Sequence, residues 1–206
     1  MLGKKFILFT IAVIGLFLAV CIVTGAETTD FTTDFMEGSF VGNIELENDS
    51  DNFASSYVDW DNGITYNIST VDDSNALMDM YYLEGVMDPV KKSYNGNDWN
   101  IYFTEAVEGD NPDETDEVME IVICQSQGKN QGYIIYAIVD SDSDIVSSLD
   151  IHSEGFKNYV EPLLKTITLK KSNDVPKINE EFGLSEEEFQ EKLDEIHELK
   201  KEEKSD

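Results

Sequence analysis

Two lysines, at positions 4 and 5, precede a long uncharged stretch whose apolar part covers residues 6–23. This length lies between the roughly 7–15 apolar residues of a signal peptide and the ~20 residues of a membrane-spanning helix. Positive charge before the stretch and an acidic chain after it predict that the N-terminus stays inside and the rest lies outside. We therefore predict that residues 1–26 are a signal peptide or a membrane anchor. The domain that follows is either held outside the cell membrane or secreted.

Three fates of this segment remain open. Small residues at 24–26 suit cleavage by a signal peptidase. The sequence from Leu18 to Cys21 resembles a lipobox, although Val20 stands where a small residue is expected. Without cleavage, the segment remains as a single-span anchor.

The next pattern is a tandem Thr-Thr-Asp-Phe repeat within residues 27–38, which we interpret as a Thr/Asp-rich spacer near the membrane. From Phe40 to Glu47, apolar and polar positions alternate as in a half-buried strand. Asn-Gly pairs at 62–63 and 95–96 predict two hairpin turns, because Asn and Gly accept positive φ angles. Further strands are predicted at 57–60, 64–70, 90–94, 98–104, 118–124 and 133–139.

Two helices are predicted within the same region. Asp72 to Asn75 offer capping oxygens for a helix over residues 76–84, and Gly85 follows its end. An apolar stripe over residues 156–167 predicts a second helix. Pro162 lies inside that stripe and requires either a kink or two shorter helices.

These elements predict an α+β fold: an antiparallel sheet of about five to seven strands with two helices packed on one face. The predicted domain covers residues 39–171. Residues 172–206 form a linker and a charged tail helix, which opens with a capping box at Ser185 and Glu188. A narrow apolar stripe on the tail helix leaves three possibilities: docking on the domain, pairing with a partner, or fraying in solvent.

From Phe40 to Leu169 the chain resembles the PsbP-like α/β sandwich domains. The resemblance is carried by the hairpin Asn-Gly-Asn-Asp-Trp-Asn-Ile-Tyr at 95–102 and by the terminal helix and strand at 159–169. It is a likeness of architecture, and it transfers no functional residue. Because members of that group are mostly non-enzymatic binding or assembly proteins, the resemblance implies a role of that kind.

Charge excludes one class of partner. All 43 acidic residues follow residue 26, together with 12 of the 14 lysines, so this part carries a formal charge of −31. Such a surface repels phosphate backbones, which excludes a nucleic-acid partner, and it attracts cations. The chain contains no arginine, the usual clamp for phosphate and carboxylate groups. A protein partner at the cell surface is compatible with this charge.

One loop suggests a metal. Asp140, Asp142 and Asp144 alternate in a polar stretch and predict a candidate calcium site, since Ca²⁺ takes six to eight oxygen ligands. An EF-hand would require glycine and glutamate where Ile145 and Ile151 stand, so the site would be irregular, completed by Asp150 or Glu154. The alternative is a solvated loop whose aspartates cap the next helix.

Other candidates are weaker. The sequence from Asp59 to Gly63 resembles part of a calcium loop, but a hairpin turn explains it fully. Cys21 and Cys124 are too differently placed to pair, and Cys124 lies in an apolar run typical of an inert core thiol. His152 and His197 belong to no motif for nucleophilic or metal-assisted catalysis. We therefore expect a non-enzymatic binding or interaction protein without a cofactor, with a calcium-stabilised domain and an unrecognised hydrolase as alternatives.

Overall fold

The computed structural model describes residues 27–51, 53–83, 85–86, 88–108, 117–140, 143 and 150–203. The strands of this part are β1 (Thr28–Thr32), β2 (Met36–Val41), β3 (Glu45–Asp51), β4 (Ala54–Asp59), β5 (Ile64–Val71), β6 (Val90–Tyr94), β7 (Asn97–Glu108), β8 (Glu117–Gln127), β9 (Gly132–Val139) and β10 (Thr168–Leu169). The helices are α1 (Ser74–Tyr82), a π-helix (Phe156–Val160), α2 (Glu161–Thr166), α3 (Ile178–Glu181) and α4 (Glu186–Glu203).

The strands form two antiparallel sheets. The larger has seven strands in the order β3-β4-β5-β9-β8-β7-β6, and the smaller has three in the order β1-β2-β10. Five of the six strand pairs in the large sheet join strands that follow each other along the chain, and the sixth pairs β5 with β9. The predicted α+β class and the antiparallel sheet are confirmed.

Both faces of the large sheet are covered, because apolar residues on β8 and β9 alternate between two cores. Val122 and Ile135 face one core, beneath the small sheet and the π-helix with α2. Ile123 and Ile134 face the other core, beneath α1, α3 and α4. The expectation that the helices share one face is therefore wrong. Fully apolar strands such as these are buried on both sides.

The prediction of a spacer over residues 27–38 is also wrong, because these residues form β1 and the start of β2. Phe31, Phe35 and Met36 are buried in the first core, and the ring of Phe31 stacks on Phe40 at a centroid distance of 4.7 Å. The phenylalanines of the repeat are core side chains. The folded unit therefore includes β1 and the start of β2, which precede the predicted boundary at residue 39.

The strand predicted from Phe40 to Glu47 is interrupted at Gly42. Its φ angle of +103° turns the chain out of β2, and β3 begins at Glu45. A side chain is strained at such an angle, whereas glycine adopts it without cost. The predicted burial consequently does not continue into β3: Phe40 and Ile44 are buried, but Leu46 is 54% exposed.

The hairpin at Asn95-Gly96 is confirmed. Both residues have positive φ angles, 48° and 79°, as a two-residue type I′ turn requires. The turn between β4 and β5 is longer, over residues 60–63, and only Gly63 has a positive φ, of 62°.

Pro162 is accommodated by a change of helix type. The chain runs as a π-helix to Val160, and Pro162 lies in the first turn of α2. Proline is tolerated there because the first N–H groups of a helix have no intrahelical acceptor. The predicted conflict is thus solved by two consecutive helices.

The tail helix docks on the domain. Phe189, Leu193 and Ile196 of α4 are buried, and Ser185 and Glu188 form the predicted capping box. Asp79 of α1 binds two side chains of α4: the Nε2 atom of His197 at 2.8 Å and the ammonium group of Lys200 at 2.5 Å. Docking on the domain is therefore the outcome among the three possibilities.

No helix within the described ranges has the length and apolar character needed to cross a membrane. The predicted signal peptide or anchor, residues 1–26, lies outside those ranges.

Candidate functional site

A buried carboxylate organises the turn between β4 and β5. Asp59, the last residue of β4, is 1% exposed. The backbone N–H groups of Asp61 and Asn62 each donate to its Oδ1 at 3.2 Å, and Asn62 Nδ2 donates to its Oδ2 at 2.8 Å. A buried carboxylate is tolerated only when it is hydrogen-bonded in this way. These hydrogen bonds to a buried side chain therefore fix the conformation of the turn.

The same turn is tied to two other parts of the chain. The Tyr159 hydroxyl, on the π-helix, donates to Asn62 Oδ1 at 3.0 Å. From the loop after β9, Asp140 N–H donates to the Gly63 carbonyl at 3.0 Å and Ser143 Oγ to the Asn62 carbonyl at 2.6 Å. The turn thus joins the sheet, the π-helix and the acidic loop. We call residues 59–63 with Asp140, Ser143 and Tyr159 the turn corner.

The corner is anionic at its base. Burial raises the pKa of the Tyr66 hydroxyl well above its usual range, and the negative charge of Asp59 raises it further. The same two causes, in the same order, raise the pKa of Tyr159. Both phenols are therefore neutral donors at physiological pH. The Tyr66 hydroxyl is fully buried and has no hydrogen-bond partner among the described residues.

Trp60 is the outer surface of the corner. Its side chain is 67% exposed, the largest exposure of any bulky apolar side chain in the described chain. Asp61, the next residue, and Asp140, which is bonded to Gly63, are exposed as well. The indole of Trp60 therefore contacts solvent rather than the core, while the turn that carries it is held by the hydrogen bonds of Asp59.

The structure tests the calcium prediction only in part. Asp140 lies on the corner, and its Oδ2 would be 3.4 Å from a Cβ atom added to Gly63. Asp142 and Asp144 lie outside the described residues. Within the described ranges, no three acidic, histidine or cysteine side chains are grouped to hold a metal ion.

The second calcium-like sequence and one of the proposed completing ligands, Asp150, have other roles. Asp59, in the sequence that resembled a calcium loop, uses both oxygens within the turn, so the hairpin interpretation is correct. Asp150 Oδ1 accepts from the N–H of His152 at 2.6 Å, ahead of the π-helix.

The remaining candidates are structural. Cys124 is fully buried, and burial raises the pKa of its thiol far above the usual range. His197 binds Asp79 and fixes α4, rather than being solvated alone. His152 is exposed. Trp99 is a core residue at 1% exposure, whereas Tyr81 is half-buried and its hydroxyl lies 3.2 Å from that of Tyr136.

Sequence reasoning missed Trp60 as a surface residue. The available signal was its position between Asp59 and Asp61 directly before Asn-Gly, since a hairpin tip of this polarity cannot enter a core. The link from Tyr159 to Asn62 spans 97 positions and has no local signal.

No protein-family model and no curated protein matches this chain. A crystal structure from Bacteroides thetaiotaomicron VPI-5482 is similar, with a TM-score of 0.46 and 8% sequence identity. The similarity covers 70% of this chain and 49% of the other, so this chain spans about half the length of that protein. It is too distant to transfer any property. The PsbP-like resemblance therefore stays a prediction.

Proposed function

We propose that this protein is an extracytoplasmic, non-enzymatic binding module that docks a protein partner through the turn corner, with Trp60 as the anchor. The observation that carries the proposal is the exposure of Trp60, at 67%, on a turn whose buried base is fully hydrogen-bonded. Tryptophan is among the residues most enriched at the energetic centres of interfaces. Contact with another molecule would bury the indole that the fold leaves in solvent.

Rigidity supports the same proposal. Association costs less when the binding residues are already ordered, because little conformational freedom is then lost. Asp59, Asn62 and Tyr159 connect the turn to the sheet and to the π-helix, and π-helical segments often accompany functional sites. The corner is therefore pre-organised for contact.

Site-specific photocrosslinking tests the docking surface. A photoreactive residue replaces Asp61 in the full chain, expressed in cells that naturally make it, and a second version carries it at Glu191 on α4 as the control. We expect a discrete adduct from position 61 that disappears with Trp60→Ala and is absent from position 191. Adducts that ignore Trp60, or none from position 61, contradict the proposal.

The location needs its own test. Protease added to intact cells should remove the acidic domain, and carbonate extraction separates a retained anchor from a released protein. Protection of the domain in intact cells contradicts an extracytoplasmic location, whatever the crosslinking shows.

A second candidate is a calcium-stabilised domain. It is supported by the position of Asp140 on the corner, where Asp140 N–H donates to the Gly63 carbonyl of the other aspartate-rich sequence, 59–63. The melting temperature with excess calcium should then be several degrees higher than the melting temperature with a chelator, because a ligand at 100 times its Kd stabilises the folded state by about 2.7 kcal/mol. Magnesium should not reproduce the shift, and joint neutralisation of Asp140, Asp142 and Asp144 should abolish it. An unchanged shift in that variant rules the loop out.

A further inference from the structure

We propose that Asn48 is the acceptor of an N-linked oligosaccharide. The inference rests on the extracytoplasmic location in the proposed function, because oligosaccharides are attached to asparagine in exported chains. Residues 48–50 read Asn-Asp-Ser, which is the Asn-X-Ser pattern of an N-glycosylation acceptor with a residue other than proline in the middle. The pattern occurs a second time at residues 67–69, which read Asn-Ile-Ser. The structure places the two sequences in very different surroundings.

Asn48 lies on an open edge of the large sheet. It belongs to β3, which pairs with β4 on one side, and in the part of the chain that the structure describes no strand pairs with its other side. The register shifts both before and after Asn48, so the pairing with β4 is irregular around it. Its side chain is exposed, as are those of the three preceding residues of β3. An enzyme can therefore reach the carboxamide from the edge and bind the sequence in an extended conformation.

Asn67 lies inside the same sheet. Its strand, β5, pairs with β4 on one side and with β9 on the other, so that Asn67 lies between Ser56 and Tyr136. The side chain of Asn67 is half-buried, and the next residue, Ile68, is fully buried in the first core. In the folded chain this sequence enters an enzyme only if β5 separates from both of its neighbours.

The reaction requires a lipid-linked oligosaccharide phosphate as the sugar donor. The carboxamide nitrogen of Asn48 forms a bond to the anomeric carbon of the first sugar, and the bond from that carbon to the phosphate oxygen breaks. The lipid phosphate leaves with the electron pair, and the carboxamide loses one proton. The enzyme also recognises the hydroxyl residue two positions after the asparagine. Ser50→Ala should therefore block the reaction although Asn48 is still present.

The intact mass of the full protein, purified from cells that naturally make it, tests the site. We expect the wild type to exceed the mass of its polypeptide by an oligosaccharide. Asn48→Gln and Ser50→Ala should each lose the whole of this added mass, and Ser50→Thr, which preserves the pattern, should keep it. Fragmentation of the peptide that contains Asn48 should locate the added mass on that residue.

A matched pair at the second sequence separates the effect of exposure from the effect of the pattern. Asn67→Gln and Ser69→Ala remove the pattern at 67–69 and should leave the added mass unchanged. Because mass is measured on the chain itself, a variant of reduced stability still gives a clear result. A wild-type mass equal to that of the polypeptide, or an oligosaccharide on Asn67 in place of Asn48, overturns the inference.

The inference and the proposed function fail separately. Added mass on Asn48 together with no crosslink from position 61 keeps the acceptor site and refutes docking through the turn corner. Removal of the domain by protease on intact cells, together with no added mass, keeps the extracytoplasmic location and refutes the oligosaccharide.

Discussion

Replacing Asp59 with alanine tests how the turn corner is held. The change removes the acceptor of three hydrogen bonds, two from backbone N–H groups and one from Asn62 Nδ2. Hydrogen bonds to a charged group contribute about 1.5–3 kcal/mol each, but part of this returns when water reaches the freed turn amides. The buried carboxylate also no longer has to be desolvated. We therefore expect a net loss of about 2–4 kcal/mol in the free energy of unfolding.

Urea unfolding measures this loss, and thermal melting should show a fall of about 5–15 °C for a domain of this size. The control is Asp61→Ala, which removes a neighbouring carboxylate that is exposed and should cost less than about 0.5 kcal/mol. Asp59→Asn keeps an oxygen for the two backbone donors and should fall between the two. Equal stability of Asp59→Ala and Asp61→Ala would refute the role assigned to the buried carboxylate.

Three other predictions concern the rest of the fold. Gly132→Ala should lower the free energy of unfolding by about 2–4 kcal/mol, measured in urea. The new Cβ would lie 2.6 Å from the backbone nitrogen of Ser74 and still closer to its Oγ. Stability equal to wild type would contradict this close packing. Burial raises the pKa of Asp79, but hydrogen bonds from Lys200 and His197 outweigh it and keep that pKa below the ordinary 3.8. The stabilisation is then present above pH 3.8 and lost as the pH falls through the lowered pKa, so Asp79→Asn should cost stability at pH 7 and progressively less below pH 3.8. Urea unfolding at several pH values measures this, and a cost that does not change with pH would contradict it. Cys124 in a Cys21→Ser background should react with a thiol reagent only as fast as the protein unfolds, and rapid labelling of the folded protein would show an open core.

Local signals were sufficient for much of the large sheet. The pair Asn95-Gly96 determines its turn through backbone angles alone, and β6 spans the residues that its pattern predicts, Val90–Tyr94. Alternation and apolar runs located β8 and β9, whose two faces are both buried. In these elements, short-range preference and tertiary packing require the same conformation.

The errors arose where the partner of a segment is distant. Nothing near Phe31 shows that its ring is to pack against Tyr57 of β4, or that β2 is to pair with β10 more than 120 positions away. The positive φ angle of Gly42 ends the strand, although apolar and polar residues continue to alternate in the sequence. These outcomes depend on packing across the domain, which a pattern within a short window does not contain.

The candidate site divides in the same way. Asp59 to Gly63 was recognised as a turn, and the alternating acids from Asp140 were recognised as a loop. That Gly63 meets Asp140 follows from the register of β5 with β9, where Ile64 pairs with Val139. That Tyr159 reaches Asn62 depends on the packing of the π-helix. The site therefore becomes visible only once the sheet is assembled.

The central claim is that Trp60 is an exposed side chain in an anionic, ordered corner. Collisional quenching of tryptophan emission tests it without knowledge of the partner, using caesium and iodide at equal ionic strength and Trp60→Phe to subtract the buried Trp99. We predict that caesium quenches the emission of Trp60 strongly and iodide weakly, and that neutralising Asp61 and Asp140 reduces the difference between the two ions. Equal quenching by both ions, or protection of Trp60 from both, would contradict it.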